Sequence, residues 1–227
     1  MINFYDVVKK TQPHLLNKAP NPNKHLHGFD TPFRMVVCAP SGAGKTSFVL
    51  NMLRLFCAGK GTFAHVYIVT KDKEEPLYTW LEQTTNGQVV ITEGLASMPK
   101  LDSFKKGEQT LVCFDDLVLS SKKELEPVEQ LYIRGRKLGG GVSVCFLTQS
   151  WFRTPKTIRI NCSYIVILKL ASARDAGLLL SDFALGVSKE ELMRLYEIAT
   201  SEKMTPLIID VAADREQRFR KGFDTFI

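Results

Sequence analysis

The run Ala39-Pro40-Ser41-Gly42-Ala43-Gly44-Lys45-Thr46 sets two glycines, a lysine and a hydroxyl side chain at the spacing of a phosphate-binding loop, with Ala39 where that pattern usually has its first glycine. Gly42 and Gly44 let the backbone wrap tightly, so that successive N–H groups point inward at a phosphate. Lys45 reaches the terminal phosphate oxygens as a point charge, and the Thr46 hydroxyl is a ligand for Mg²⁺. A helix opening at Thr46 adds the positive end of its dipole. The segment assigned to phosphate contact is Pro40, Ser41, Gly42, Ala43, Gly44, Lys45, Thr46 and Ser47.

Two later segments supply what a triphosphate site needs on its other side. Thr110-Leu111-Val112-Cys113-Phe114-Asp115-Asp116 is an apolar strand ending in paired carboxylates. Asp115 is the candidate to hold the Mg²⁺ shell, and Asp116 to orient an attacking water or take its proton. Val144-Cys145-Phe146-Leu147-Thr148-Gln149-Ser150 is a second apolar strand with a polar end. Parallel strands deliver their C-terminal residues to the ligand crevice, so Gln149 is a candidate contact for the γ-phosphate or the lytic water.

These residues need strands and helices in alternation, and the chain offers them. Apolar strand-like runs are expected at Phe33–Cys38, His65–Thr70, Val89–Thr92, Gln109–Phe114, Val142–Thr148, Tyr164–Leu170 and Leu207–Val211. Helical spacing of apolar residues is expected over Thr46–Cys57, Glu75–Gln83, Lys122–Leu138, Ala173–Leu180 and Lys189–Ala199, with Pro127 near the start of its helix or breaking it. Strands apolar on both faces and separated by helices indicate an α/β fold with a largely parallel central sheet and helices on both faces.

With 227 residues, 44% hydrophobic and 24% charged, the chain is expected to form one globular domain rather than a disordered or disulfide-built one. No apolar stretch spans a bilayer and the N-terminus lacks a signal-peptide pattern, so a soluble intracellular protein is expected. The five cysteines are odd in number and scattered, which suits free thiols, mostly buried, in a reducing compartment. Most of the net charge of +6 sits at the ends. Lys9, Lys10, Lys18 and Lys24 face only Asp6 in residues 1–28; Arg215, Arg218, Arg220 and Lys221 face Glu216 and Asp224 in residues 215–227. The expected organisation is a basic, Pro/Asn-rich arm over 1–32, a phosphate-loop (P-loop) domain over 33–211 and a basic tail over 212–227. Either end could touch a polyanion or simply be solvated. His14, His25 and His27 lie in the arm without accompanying metal-ligand residues and are read as part of a solvated loop.

In order, Pro32-Phe33-Arg34, the phosphate loop, Asp115-Asp116, Tyr132-Ile133-Arg134-Gly135-Arg136-Lys137, Leu147-Thr148-Gln149-Ser150 and Pro155-Lys156-Thr157-Ile158-Arg159-Ile160-Asn161-Cys162 resemble the viral genome-packaging ATPases of the HerA–FtsK superfamily. The likeness is to their poxvirus-type branch, found in large DNA viruses, virophages and related elements, and it covers roughly residues 30–210. It implies a P-loop NTPase fold (RecA/HerA–FtsK-like) and a ring of about five or six identical subunits that hydrolyses ATP with Mg²⁺ to drive double-stranded DNA into a capsid. By the same resemblance Lys45, Asp116 and Gln149 are catalytic, Thr46 and Asp115 hold the metal, and Asp116 stands where the superfamily commonly has a longer Glu. Arg134 or Arg136 matches the arginine that reaches a neighbouring subunit's nucleotide, and Arg159 either does similar work or orders its loop. A capsid or vertex protein is an implied partner, and the site of virion assembly in the host cell, the cytoplasm before the nucleus, the implied location. A P-loop nucleotide kinase, a HerA-like DNA-processing helicase and an ATP-binding scaffold without turnover are the alternative readings.

Overall fold

Val142–Thr148 is buried at every position, and a strand without a polar face must be covered on both sides. In the structure, a computed structural model that describes residues 2–16, 19–117, 119–183 and 186–227, it lies near the centre of a nine-stranded sheet. The strands are β1 Arg34–Cys38, β2 His65–Thr70, β3 Val89–Glu93, β4 Thr110–Asp115, β5 Val142–Thr148, β6 Tyr164–Ile167, β7 Leu207–Asp210, β8 Phe219–Lys221 and β9 Thr225–Phe226. Their order is β3-β2-β4-β5-β1-β6-β7-β8-β9. β1 to β6 run parallel, while β7, β8 and β9 are added antiparallel.

Alternate residues of each central strand feed two cores. On one face Val36, Val112, Phe114, Val144, Phe146 and Ile165 pack with apolar residues of α5 (Lys122–Arg134), α7 (Ala173–Ser181) and α8 (Lys189–Ala199). On the other, Met35, Val37, Ile68, Leu111 and Leu147 meet α3 (Lys45–Phe56) and α4 (Pro76–Thr84). α3 buries Phe48, Val49, Met52, Leu53 and Phe56, a stripe at helical spacing. α5 starts at a capping box, with Ser121 Oγ accepting from the Glu124 N–H and Glu124 Oε2 from the Ser121 N–H. Pro127 lies inside this helix without ending it. The helix ends instead at Gly135, where any Cβ would stand 2.9 Å from the Val142 carbonyl oxygen.

The boundaries expected at residues 32 and 212 fall inside the folded unit. α1 (Phe4–Thr11) buries no residue. From Asn21 onward, however, the chain is packed: Asn23 Nδ2 donates to the Phe56 and Ala58 carbonyls, and Phe29 is fully buried. His27, in the short helix α2 (Lys24–His27), is buried against Phe56 rather than solvated. Asn17, Lys18 and the side chain of His14 lie outside the described residues. At the other end β8 extends the sheet and Arg220 is buried, donating from Nη1 to the carbonyls of His27 and Phe223. Its guanidinium lies over the Phe29 ring at 4.7 Å. Lys221 pairs with Glu202 and Arg215 with Glu191. Much of the basic character of the C-terminal segment is thus spent within the fold. Cys38, Cys113, Cys145 and Cys162 are buried free thiols, whereas Cys57 is exposed.

Candidate active site

β1 pairs with β5 so that Cys38 faces Thr148, and the Ala39 N–H donates to the Thr148 carbonyl. β4 pairs with β5 so that Phe114 faces Phe146. These registers bring the phosphate loop, Asp115-Asp116 and Gln149 to the same end of the sheet. β5 lies between the loop strand and the acid strand, so loop and acids stand about 10 Å apart, two strand spacings. Gln149 emerges between them. The cleft they border has a volume of about 450 Å³.

The loop has the backbone its glycines imply. Gly42 and Gly44 have φ of 72° and 99°, and Gly44 caps α3 from the left-handed region. Lys45 Nζ donates to the carbonyls of Ala39 and Pro40, 2.9 Å each, which holds the ammonium at the mouth of the loop. Burial lowers its pKa, opposed by Asp115 and Asp116. Thr46 and Ser47, in the first turn of α3, line the cleft, as do Ser41, Gly42 and Gly44; Pro40 and Ala43 complete the turn.

Asp115 is 9% exposed, and burial raises its pKa; the Tyr78 hydroxyl and Lys45 oppose that shift. Tyr78 Oη donates to Asp115 Oδ2 at 2.6 Å, and the Thr46 side chain lies close enough to temper the rise that burial and Asp115 impose on the phenol's pKa. The two oxygen groups expected at Mg²⁺, Asp115 and Thr46, line the same cleft as this buried phenol. A carboxylate and a hydroxyl beside a phosphate site suit a hard cation that keeps most of its ligands as water and phosphate oxygen. Among the described residues there is no cluster of three or more His, Cys, Asp or Glu side chains to hold a metal by protein ligands alone. Asp116 adopts φ 54°, uncommon for a residue with a side chain, and its carboxylate is exposed. Gln149 Nε2 donates to Asp116 Oδ1 at 3.1 Å.

The three arginines singled out from the sequence are not part of this cleft. Arg134 and Arg136 are exposed at the end of α5 and in the turn Gly135–Lys137, which leads into the start of β5. They stand at the opposite ends of the strands from the loop. Arg159 orders its own segment: Nη1 pairs with Asp182 at 2.6 Å, Nε donates to the Thr154 carbonyl, and the guanidinium stacks near Trp151. Tyr78, by contrast, is at the site although nothing in the residue spacing singles it out. Its signal is a tyrosine on the apolar face of a helix, where the hydroxyl must find a buried partner.

The family model for the poxvirus A32 protein matches residues 24–224. Among solved structures the fold is similar to the genome packaging NTPase B204 of Sulfolobus turreted icosahedral virus 2 in complex with ATP-gammaS, with a TM-score of 0.59 and 13% identity, covering 88% of this chain and 100% of that one. It is also similar to the cytoplasmic domain of the type VII secretion ATPase EccC of Thermomonospora curvata, with a TM-score of 0.51 and 15% identity over 87% of this chain and 24% of that one. EssC (ATPases 2 and 3) of Geobacillus thermodenitrificans gives a TM-score of 0.51 and 10% identity, over 79% and 38%. At these identities the likeness establishes the fold, that of a P-loop NTPase. No curated protein matches by sequence. The chain belongs to the poxvirus A32 protein family.

Proposed function

We propose that this ATPase hydrolyses Mg·ATP in the cleft at the end of β1, β4 and β5, and that it works as a ring moving double-stranded DNA into a capsid. The observation that carries the chemistry is the contact between Gln149 and Asp116 facing the phosphate loop. Lys45 and the loop amides hold the β- and γ-phosphates. Thr46 and Asp115 would hold Mg²⁺, which when bound would supply positive charge against the triphosphate. Gln149 and Asp116 position a water between them. As the water oxygen bonds to the γ-phosphorus, the bond to the β,γ-bridging oxygen breaks, ADP leaves, and Asp116 takes the proton.

The ring is supported by a charge imbalance. Asp72, Glu75, Asp115 and Asp116 line the cleft with Lys45, and no arginine joins them among the described lining residues. A polyanionic triphosphate in such a site calls for further positive charge in the transition state, which Arg134 or Arg136 of an adjacent copy supplies. A nucleotide kinase has less use for the pair: its nucleophile is a substrate oxygen, and the Asp116–Gln149 arrangement suits a water. DNA contact is assigned to exposed basic groups, with Lys9 and Lys10 of α1 included and the buried Arg220 excluded. The capsid as partner and the host cytoplasm as site of action follow from the family's packaging role. Among the described residues no helix is long and apolar enough to cross a membrane.

The test is ATP turnover over a range of protein concentrations, with and without duplex DNA. The ring predicts specific activity that rises with concentration and is stimulated by DNA. Activity that is flat in both variables contradicts it.

A further inference from the structure

Two large apolar side chains stand exposed in a cleft otherwise lined mostly by polar groups: Leu77, 39% exposed, and Met204, 50% exposed. They lie on opposite flanks of the phosphate loop. β5 and β4, with Gln149, Asp115 and Asp116 at their ends, are on one side of β1, and β6 and β7 are on the other. Leu77 belongs to the acid flank, next to the tyrosine that holds Asp115. Met204 belongs to the connection from α8 into β7, on the far flank.

Met204 is pressed against the loop. A Cβ built on Gly44 would meet its Cγ at 3.0 Å and Leu168 Cδ2 at 3.7 Å. Its own backbone has φ 63°, in the left-handed region that favours glycine, yet a long thioether is carried there. A triphosphate whose γ-end points at Asp116 and Gln149 runs back across the loop, so its nucleoside emerges on the flank away from the acids. That flank is where Met204 offers a polarisable, exposed surface.

We propose that Met204 is the platform for the nucleobase, its thioether against the ring face. The proposal rests on the cleft being a nucleotide site and adds where the base lies and how it is read. Sulfur–aromatic contact is favourable and makes no hydrogen bond to the ring edge, so this contact serves adenine and guanine alike.

The experiment compares binding of Mg·ATP, Mg·GTP and magnesium tripolyphosphate to the full chain and to Met204→Gly, a substitution that suits the local backbone. ATP and GTP each weaken by about two- to tenfold while tripolyphosphate is unchanged. Retained tripolyphosphate binding also reports that the loop is folded. Equal weakening of all three ligands overturns the proposal, because Met204 would then act only through the Gly44 backbone. No change in any of them overturns it as well. Leu77→Ala is the comparator: it leaves the ratio of ATP to tripolyphosphate affinity unaltered, and a selective loss of ATP there would put the base on the acid flank instead. Failure of the nucleotide reading itself looks different, since the unsubstituted chain would then bind neither ATP nor tripolyphosphate.

Discussion

Gln149 donates from Nε2 to Oδ1 of Asp116 across 3.1 Å, tying the end of β5 to the residue that follows β4. One acceptor of the carboxylate is thereby fixed and the other is left for water. Asp116→Asn keeps Mg·ATP binding but lowers turnover by about a hundredfold or more, the usual cost of losing a positioned base. Gln149→Ala lowers turnover as well. The double variant falls by much less than the product of the two, because both act on one water. Single-turnover rates with binding measured separately check this, and full multiplicativity would show that the two residues act independently.

Tyr78 is expected to act through Asp115. Tyr78→Phe removes the hydrogen bond to Oδ2 and frees the carboxylate to rotate. The Mg²⁺ concentration needed for half-maximal turnover rises about tenfold or more, as for other groups that orient a metal ligand. ATP binding measured without metal stays near the original value. A fall in both by the same factor would mean that Tyr78 only supports the fold.

Stability should carry a pH signature from His27. Burial, followed by the nearby Arg220, lowers its pKa from 6.5 to about 4. Its Nδ1 accepts the Phe29 N–H, a bond that protonation destroys. Because the folded pKa is depressed, the unfolded chain takes up the proton first. The stabilisation is whole above pH 6.5 and is lost as the pH falls toward 4. Denaturant midpoints from pH 7 to 4 reveal the loss. His27→Gln, less stable throughout, shows a shallower slope over that window.

The parallel core and the gathering of the loop, the paired acids and Gln149 at its edge were legible because both are local signals. Phosphate-loop spacing, an apolar run closing on Asp115-Asp116 and another closing on Gln149 can each be read within ten residues. The packed segment at 21–29 was not, since Asn23, His27 and Phe29 are held by Phe56, Ala58 and Arg220, partners distant in sequence. Composition there resembles a solvated arm, and only the tertiary contacts reveal otherwise. β8 was missed for the same reason, a three-residue strand whose charged Arg220 disguises a buried position. Tyr78 joins the site through a helix that shows only its apolar periodicity.

An arginine acting between subunits has a distinct signature. Substituting Arg134 or Arg136, whichever is the finger, by Ala leaves ATP affinity nearly intact and drops turnover by about 10³ or more. Mixing that variant with Asp116→Asn restores part of the activity, because some interfaces then join an intact arginine to an intact site. Mixtures that recover nothing would place the positive charge within one chain.

The most direct measurement is steady-state Mg·ATP turnover by the unsubstituted chain and by Lys45→Ala, with circular dichroism and thermal melts to verify that both are folded. Lys45 faces the cleft and bonds only its own loop among the described contacts, so the variant should fold. Hydrolysis by the unsubstituted chain and none by Lys45→Ala is the predicted result. A folded Lys45→Ala protein with undiminished turnover would contradict hydrolysis at this loop.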